Sequence, residues 1–213
     1  MSFLFAIIIA ELLFLFLYRL FTGTNYQVIG KVNFDHSLEI GPGWVVLELM
    51  KQLGISEEEH LEGLANLARG VKLEGATVGI RISHAGAQTS ENICGEQPIG
   101  PSIMNFGRDF DISREFDKGD VEEIILNFVH AAERAEEVGM DFIEINGSEQ
   151  HLLDQCCNIK YNTRFDEYGS AKIESRIQLA IEIVNAIKKR KSVSLPISYY
   201  FAIFKQNLDI RNG

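Results

Sequence analysis

Four stretches that read as strands alternate with three that read as amphipathic helices, and this alternation constrains the fold more than any other feature of the chain. "YQVIGKVNF" (Tyr26 to Phe34) is the first buried strand. Ser56 then opens a helix as an N-cap, with Glu59 completing a capping box. Leu61, Leu64, Leu67, Ala68 and Val71 recur at helical spacing, and Gly75 ends the helix. "ATVGIRIS" (Ala76 to Ser83) is the second strand. A helix capped by Asp117 or Asp120 carries Val121, Ile124, Ile125, Phe128, Ala131, Ala132 and Ala135 on one face and stops at Gly139. "DFIEIN" (Asp141 to Asn146) is the third strand. "IESRIQLAIEIVNAIKKRK" is the last amphipathic helix, with Lys188 to Lys191 at its negative dipole end, and "SLPISYYF" (Ser194 to Phe201) is the fourth strand.

Units of this length call for a parallel sheet with crossover helices. Two architectures stay open on pattern alone: a doubly wound sheet, or part of an eight-stranded (β/α)₈ barrel. Both place chemistry at the carboxyl ends of the strands. The long loops do follow strands here, residues 84–116 after one and 146–170 after the next, while the loops after helices are short. No G-x-G-x-x-G follows a strand, which weighs against a dinucleotide-binding fold.

Composition narrows the function. A formal net charge of -10 is wrong for a protein that meets nucleic acid through a basic stripe. Three cysteines without C-x-x-C spacing give no structural zinc site and no disulfide framework, so no metal is expected, and Cys156 and Cys157 read as buried free thiols. Their sparse use suits a reducing compartment. The expected compartment is the cytoplasm, with membrane attachment through residues 3–20 the open alternative. "FLFAIIIAELLFLFLY" (Phe3 to Tyr18) is nearly all apolar, yet marginal in length for a span and interrupted by Glu11. A hydrophobic helix packed on the rest of the chain is the other reading. The expected division is therefore residues 1–25, a hydrophobic segment, and residues 26–213, the α/β domain.

"EEVGMDFIEINGSEQHLLDQ", "NTRFDEYGS" and "IESRIQLAIEIVNAIK", with the earlier "GIRISHAGAQ", resemble the old yellow enzyme family of FMN-dependent NADH:flavin oxidoreductases. The "GSE" at 147–149 is most similar to the 2,4-dienoyl-CoA reductase branch. The resemblance covers about residues 26–199. It implies a TIM (β/α)₈ barrel, present here as about four βα units, with FMN over the carboxyl ends of the strands. It also implies NADH or NADPH as reductant and an activated alkene, an enone or enoyl thioester, as substrate.

The resemblance assigns roles residue by residue. The flavin-contacting amide of the family falls at Arg81, which either donates to a flavin carbonyl or points into solvent or pairs with a loop acid. His84 keeps the family's histidine and orients its loop. Asn146 and Glu149 occupy the positions of the pair that holds flavin or substrate. The family's tyrosine proton donor falls at His151, which either donates a proton or is a polar loop residue. Asn162, Arg164, Asp166, Tyr168, Gly169 and Arg176 match the post-strand signature and read as structural. The family's first strand, its phosphate-holding strands and its iron–sulfur cysteines have no counterpart. The alternative expectation is thus a non-catalytic barrel fragment, serving in interaction or at a membrane, with open sheet edges that favour self-association.

Overall fold

Alternation of large apolar and polar or small residues along the strands decides which face of the sheet the helices cover. In the computed structural model, which describes residues 27–33, 53–55 and 58–201, the main sheet contains β1 (Gln27–Asn33), β2 (Leu53–Gly54), β3 (Thr77–Ser83), β6 (Phe142–Asn146) and β7 (Ile197–Tyr200). Its order is β2-β1-β3-β6-β7 and every pairing is parallel. Strands β1, β3, β6 and β7 lie side by side in chain order, the arrangement of consecutive barrel units. The two-residue β2 is an addition to the expected strands. It pairs at Val32↔Leu53 and Asn33↔Gly54, within a stretch whose Gly/Pro content reads as a connector.

The helices follow their apolar faces. α1 (Leu61–Leu73) buries Leu64, Ala68 and Val71, and α3 (Lys118–Glu137) buries Val121, Ile124, Phe128 and three alanines. Both end as expected, with Gly75 at φ 75° and Gly139 at φ 81° just beyond. Leu179 and Ile183 of α6 (Gln178–Lys188) and Val78, Ile80, Ile82, Ile143 and Ile145 of the sheet complete one core. Helices therefore cover one face, and the opposite face carries Gly79, Arg81, Ser83, Phe142, Glu144 and Asn146.

Local chemistry sets three boundaries differently from the sequence expectation. Ser56 lies outside the described residues, and α1 is led in by a 3₁₀ turn, Glu58–His60. The terminal helix is interrupted at Ile177 (φ −98°, ψ 0°), giving α5 (Ile173–Arg176) before α6. The long loops hold structure of their own. Residues 84–116 contain α2 (Glu91–Cys94) and a small parallel pair, β4 (Ile99–Gly100) with β5 (Arg114–Glu115). The loop after β6 contains α4 (Leu152–Cys157). These elements are too short for periodicity to announce them. The hydrophobic segment 1–25 lies outside the described residues. Among the described residues, no helix is long and apolar enough to cross a membrane.

The start of α3 is fixed by charge. Asp117 Oδ1 accepts from the Asp120 N–H at 3.0 Å, and Asp120 Oδ2 accepts from the Asp117 N–H at 2.7 Å, a reciprocal capping box. Arg114 of β5 grips the Asp120 carboxylate with both Nη atoms, at 2.5 and 2.7 Å. These hydrogen bonds, Arg114 first, hold the Asp120 carboxyl below its ordinary value of 3.8. A depressed carboxylate stabilises the fold above its unfolded value and loses that contribution as pH falls through the folded one. Asp120→Asn is therefore expected to cost on the order of 1 kcal/mol at neutral pH. The gap from wild type should close below about pH 4, as read from urea midpoints across a pH series.

Candidate active site

The site is built on the face that the described helices leave uncovered, at the carboxyl ends of β3 and β6. The register pairs Gly79 with Phe142 and Arg81 with Glu144, so inner residues stack in layers from bottom to top. In the lowest layer the Phe142 ring lies over Gly79, where any Cβ would overlap it. Above it, Arg81 Nε donates to Glu144 Oε2 at 2.6 Å, with Nη2 at 2.5 Å from the same oxygen. Both side chains are nearly buried, at 13% and 10% exposure. The guanidinium also lies 3.9 Å from the centroid of the Tyr200 ring on β7. Arg81 is thus paired with an acid, but the acid sits on the neighbouring strand and not in a loop.

The top layer is a polar cluster. Asn146 Oδ1 accepts from the Ser148 N–H at 3.1 Å, which fixes the amide's orientation because that donor is backbone. Its Nδ2 then lies within hydrogen-bond distance of Glu149 Oε2 at 3.2 Å, Ser83 Oγ at 3.2 Å and His151 Nδ1 at 3.1 Å. Ser83 Oγ is 2.5 Å from the same histidine nitrogen. The amide has two N–H groups for these three neighbours, and whether His151 Nδ1 accepts from Ser83 Oγ or donates to it follows the protonation of the ring. Asn146, Ser83 and His151 are buried, and Glu149 is half-buried.

The loop carrying Glu149 and His151 is backbone-strained and tightly held. Glu149 (φ 64°) and Gln150 (φ 60°) are consecutive non-glycine residues in the left-handed region. Gln155 of α4, fully buried, clamps this loop to the one after β3. Its Oε1 accepts from the Ala87 N–H at 3.1 Å, and its Nε2 donates to Ala85 O at 3.2 Å and Gln150 O at 2.7 Å. His84 is buried, and its Nδ1 accepts from the Gly86 N–H at 2.9 Å, which ties the side chain to its own loop. Gly147 passes directly over β7: its N–H donates to Tyr200 O at 2.7 Å, and a Cβ there would strike the Tyr199 hydroxyl.

Arg164 secures the outer part of the loop. It pairs with Asp166 and Glu115, donates to the Phe116 carbonyl at 2.8 Å and lies over the Phe116 ring. Asn162 donates to Cys156 O and Tyr168 O, both at 2.8 Å. These signature residues hold the loop's shape, in keeping with a structural reading. Burial raises the Cys156 thiol and pushes that of Cys157 up to about 11, so neither is a thiolate at neutral pH. Among the described residues, no three His, Cys, Asp or Glu side chains gather as a metal site would require.

The five residues singled out from sequence fall into two groups. Asn146, Glu149 and His151 meet in one hydrogen-bonded cluster, with Arg81 one layer below. His84 is at the end of β3 and is tied to the same region through its carbonyl, which accepts from the Leu152 N–H at 3.0 Å. Sequence reasoning missed Ser83, Glu144 and Gln155. The period of two along β3 and β6 was the available signal for the first two, because it puts Ser83 beside Asn146 and Glu144 beside Arg81. Gln155 gave none, since its role depends on the unforeseen α4.

Consecutive parallel βα units with a polar cluster at the carboxyl ends of the strands define a barrel-type scaffold. The model of the NADH:flavin oxidoreductase / NADH oxidase family matches residues 48–210, and the chain belongs to that family. An NADPH dehydrogenase of Clostridium acetobutylicum is 38% identical over 152 residues, covering 70% of this chain and 44% of the relative. An NADH oxidase of Thermoanaerobacter brockii is 35% identical over 152 residues, covering 71% and 23%. Among solved structures, histamine dehydrogenase from Rhizobium sp. 4-9 superposes with a TM-score of 0.71 at 27% identity, over 80% of this chain and 26% of that one. Morphinone reductase in complex with tetrahydroNAD gives 0.72 at 21% identity, over 84% and 51%, a likeness of fold. The chain spans less than half the length of these curated relatives. Its family is one of oxidoreductases that work with FMN and a reduced nicotinamide.

The clamp offers a direct test of the loop's dependence on α4. Gln155→Leu keeps the volume but strands the Ala87 N–H and the Ala85 and Gln150 carbonyls. A loss of about 2–4 kcal/mol in unfolding free energy is expected, measured by urea denaturation.

Proposed function

We propose that this chain carries the flavin face of an FMN-dependent NAD(P)H oxidoreductase that reduces activated alkenes, enones or enoyl thioesters. The observation that carries the reading is the convergence of Ser83, Asn146, Glu149 and His151 at two adjacent strand ends, directly above Arg81. The donor set suits a flavin ring. Glu144 engages Nε and Nη2 of Arg81, while Nη1 has no partner among the described residues and is available to a ring carbonyl. The residues that would hold FMN are Arg81, His84 and Asn146. Bound FMN, reduced by NADH or NADPH, supplies the hydride.

The chain's own residues do the remaining work. Glu144 orients the guanidinium of Arg81 and offsets its charge in a nearly buried layer. Asn146 holds Glu149, Ser83 and His151 in one network, which fixes their rotamers before substrate arrives. In its protonated form, with Nδ1–H donating to Ser83 Oγ, His151 presents a second proton at Nε2, gives it as the general acid to the alkene carbon and is left as neutral imidazole. The tyrosine of the family's pattern is thereby replaced by a group of more acidic chemistry and shorter reach.

A second reading has its own observation. An apolar groove of about 590 Å³ lies beside β7, lined by Ile173, Ile177, Ile181, Val184, Tyr199 and Phe201, the last 61% exposed. In that reading the chain is a non-catalytic barrel fragment that associates through this face.

Incubation with FMN followed by desalting separates the two. Retention of about one flavin per chain, seen as visible absorbance, is the outcome expected for the oxidoreductase; a folded chain that emerges colourless would overturn it. In the flavin-loaded protein, His151→Asn should slow alkene reduction by about 100-fold or more, while flavin reduction by NADH or NADPH, followed by stopped-flow bleaching, stays within about twofold.

A further inference from the structure

We propose that Tyr161 is a positioning residue, a latch that holds the strained turn at Glu149 and Gln150 so that Glu149 and His151 stay in register. The inference deepens the proposed oxidoreductase reading and rests on it for its functional part. Two successive left-handed residues without glycine do not persist by themselves, since each disfavours the conformation by on the order of 1 kcal/mol or more. Something must hold them, and Gln150 is held at three points. Its N–H donates to Asp154 Oδ2 at 2.8 Å, its carbonyl accepts from Gln155 at 2.7 Å, and its side-chain Oε1 accepts from the Tyr161 hydroxyl at 2.6 Å.

The first two holds come from α4, the helix that the turn itself leads into. The third comes from eleven residues further along and reaches back over the turn. Burial raises the Tyr161 hydroxyl above its ordinary value, with the nearby Asp154 carboxylate adding to the effect, so it remains a donor through neutral pH. The ring of Tyr161 is fixed in turn. Phe106 packs on it at 5.2 Å between centroids, and Phe110 meets Phe106 edge-on at 6.3 Å. Phe106 and Phe110 belong to the long loop after β3. The latch thus joins the two strand-end loops by a contact separate from the Gln155 clamp, and it does so through the residue between Glu149 and His151.

Backbone amide hydrogen exchange of the full chain tests this without requiring flavin. Tyr161→Phe keeps the ring and removes only the hydroxyl. Exchange at residues 149–151 should rise about fivefold, the worth of one neutral hydrogen bond, while β3 and β6 keep their protection. Unchanged exchange at 149–151 would overturn the latch. Gln150→Gly supplies a second, independent test, because glycine adopts the turn unstrained and carries no amide to grip. In that background Tyr161→Phe should add nothing, and an equal rise in both backgrounds would show the hydroxyl acting elsewhere. In the flavin-loaded protein, Tyr161→Phe should lower kcat for alkene reduction severalfold with FMN retention unaltered. If wild type retains no FMN, the oxidoreductase reading falls, and the exchange measurements still decide the latch.

Discussion

The register between β3 and β6 is the constraint on which everything else depends. Side chains alternate across a strand, so a slip of one residue would move a whole set to the other face. In the observed register, Ile80, Ile82, Ile143 and Ile145 enter the core together. The same register sets Arg81 against Glu144 and Ser83 near Asn146. Displacing it by one would bury a guanidinium among the helices and expose isoleucines at the site. The Phe142 ring over Gly79 enforces the alignment sterically, because only a glycine leaves room for the ring at that level. Stability and chemistry are thus specified by one alignment but placed on opposite faces.

That separation explains how much could be read from the sequence. The helix-facing residues announce themselves by period, and the three principal helices and four expected strands are where the pattern puts them. Gly75, Gly139 and Asp117 mark their boundaries through local backbone chemistry, which acts within a few residues and is therefore legible. The cluster of Asn146, Glu149 and His151 was legible for a different reason: its members lie within six residues, on a segment similar to a known family. Arg81 was placed correctly on its strand but its partner was not, since pairing with Glu144 is a contact across 63 positions. Gln155 and Tyr161 were invisible for the same physical reason. Their importance comes from bonds that form only once two loops are brought together.

The site also shows how a polar cluster is made compatible with burial. Asn146 directs its Oδ1 to a backbone donor and its Nδ2 toward Glu149, Ser83 and His151, so a single amide organises the top layer. Arg81 in the layer below carries its countercharge on the adjacent strand. Beneath both is the aromatic layer of Phe142. Polarity therefore rises step by step toward the carboxyl ends.

The crossing of Gly147 over β7 has an evolutionary consequence. A side chain at 147 would collide with the Tyr199 hydroxyl, and the Gly147 N–H is already committed to the Tyr200 carbonyl. The glycine cannot drift alone: an alanine at 147 requires the Tyr199 side chain to give way first. Descendants of this sequence should therefore change the two positions in a fixed order, strand residue before loop residue.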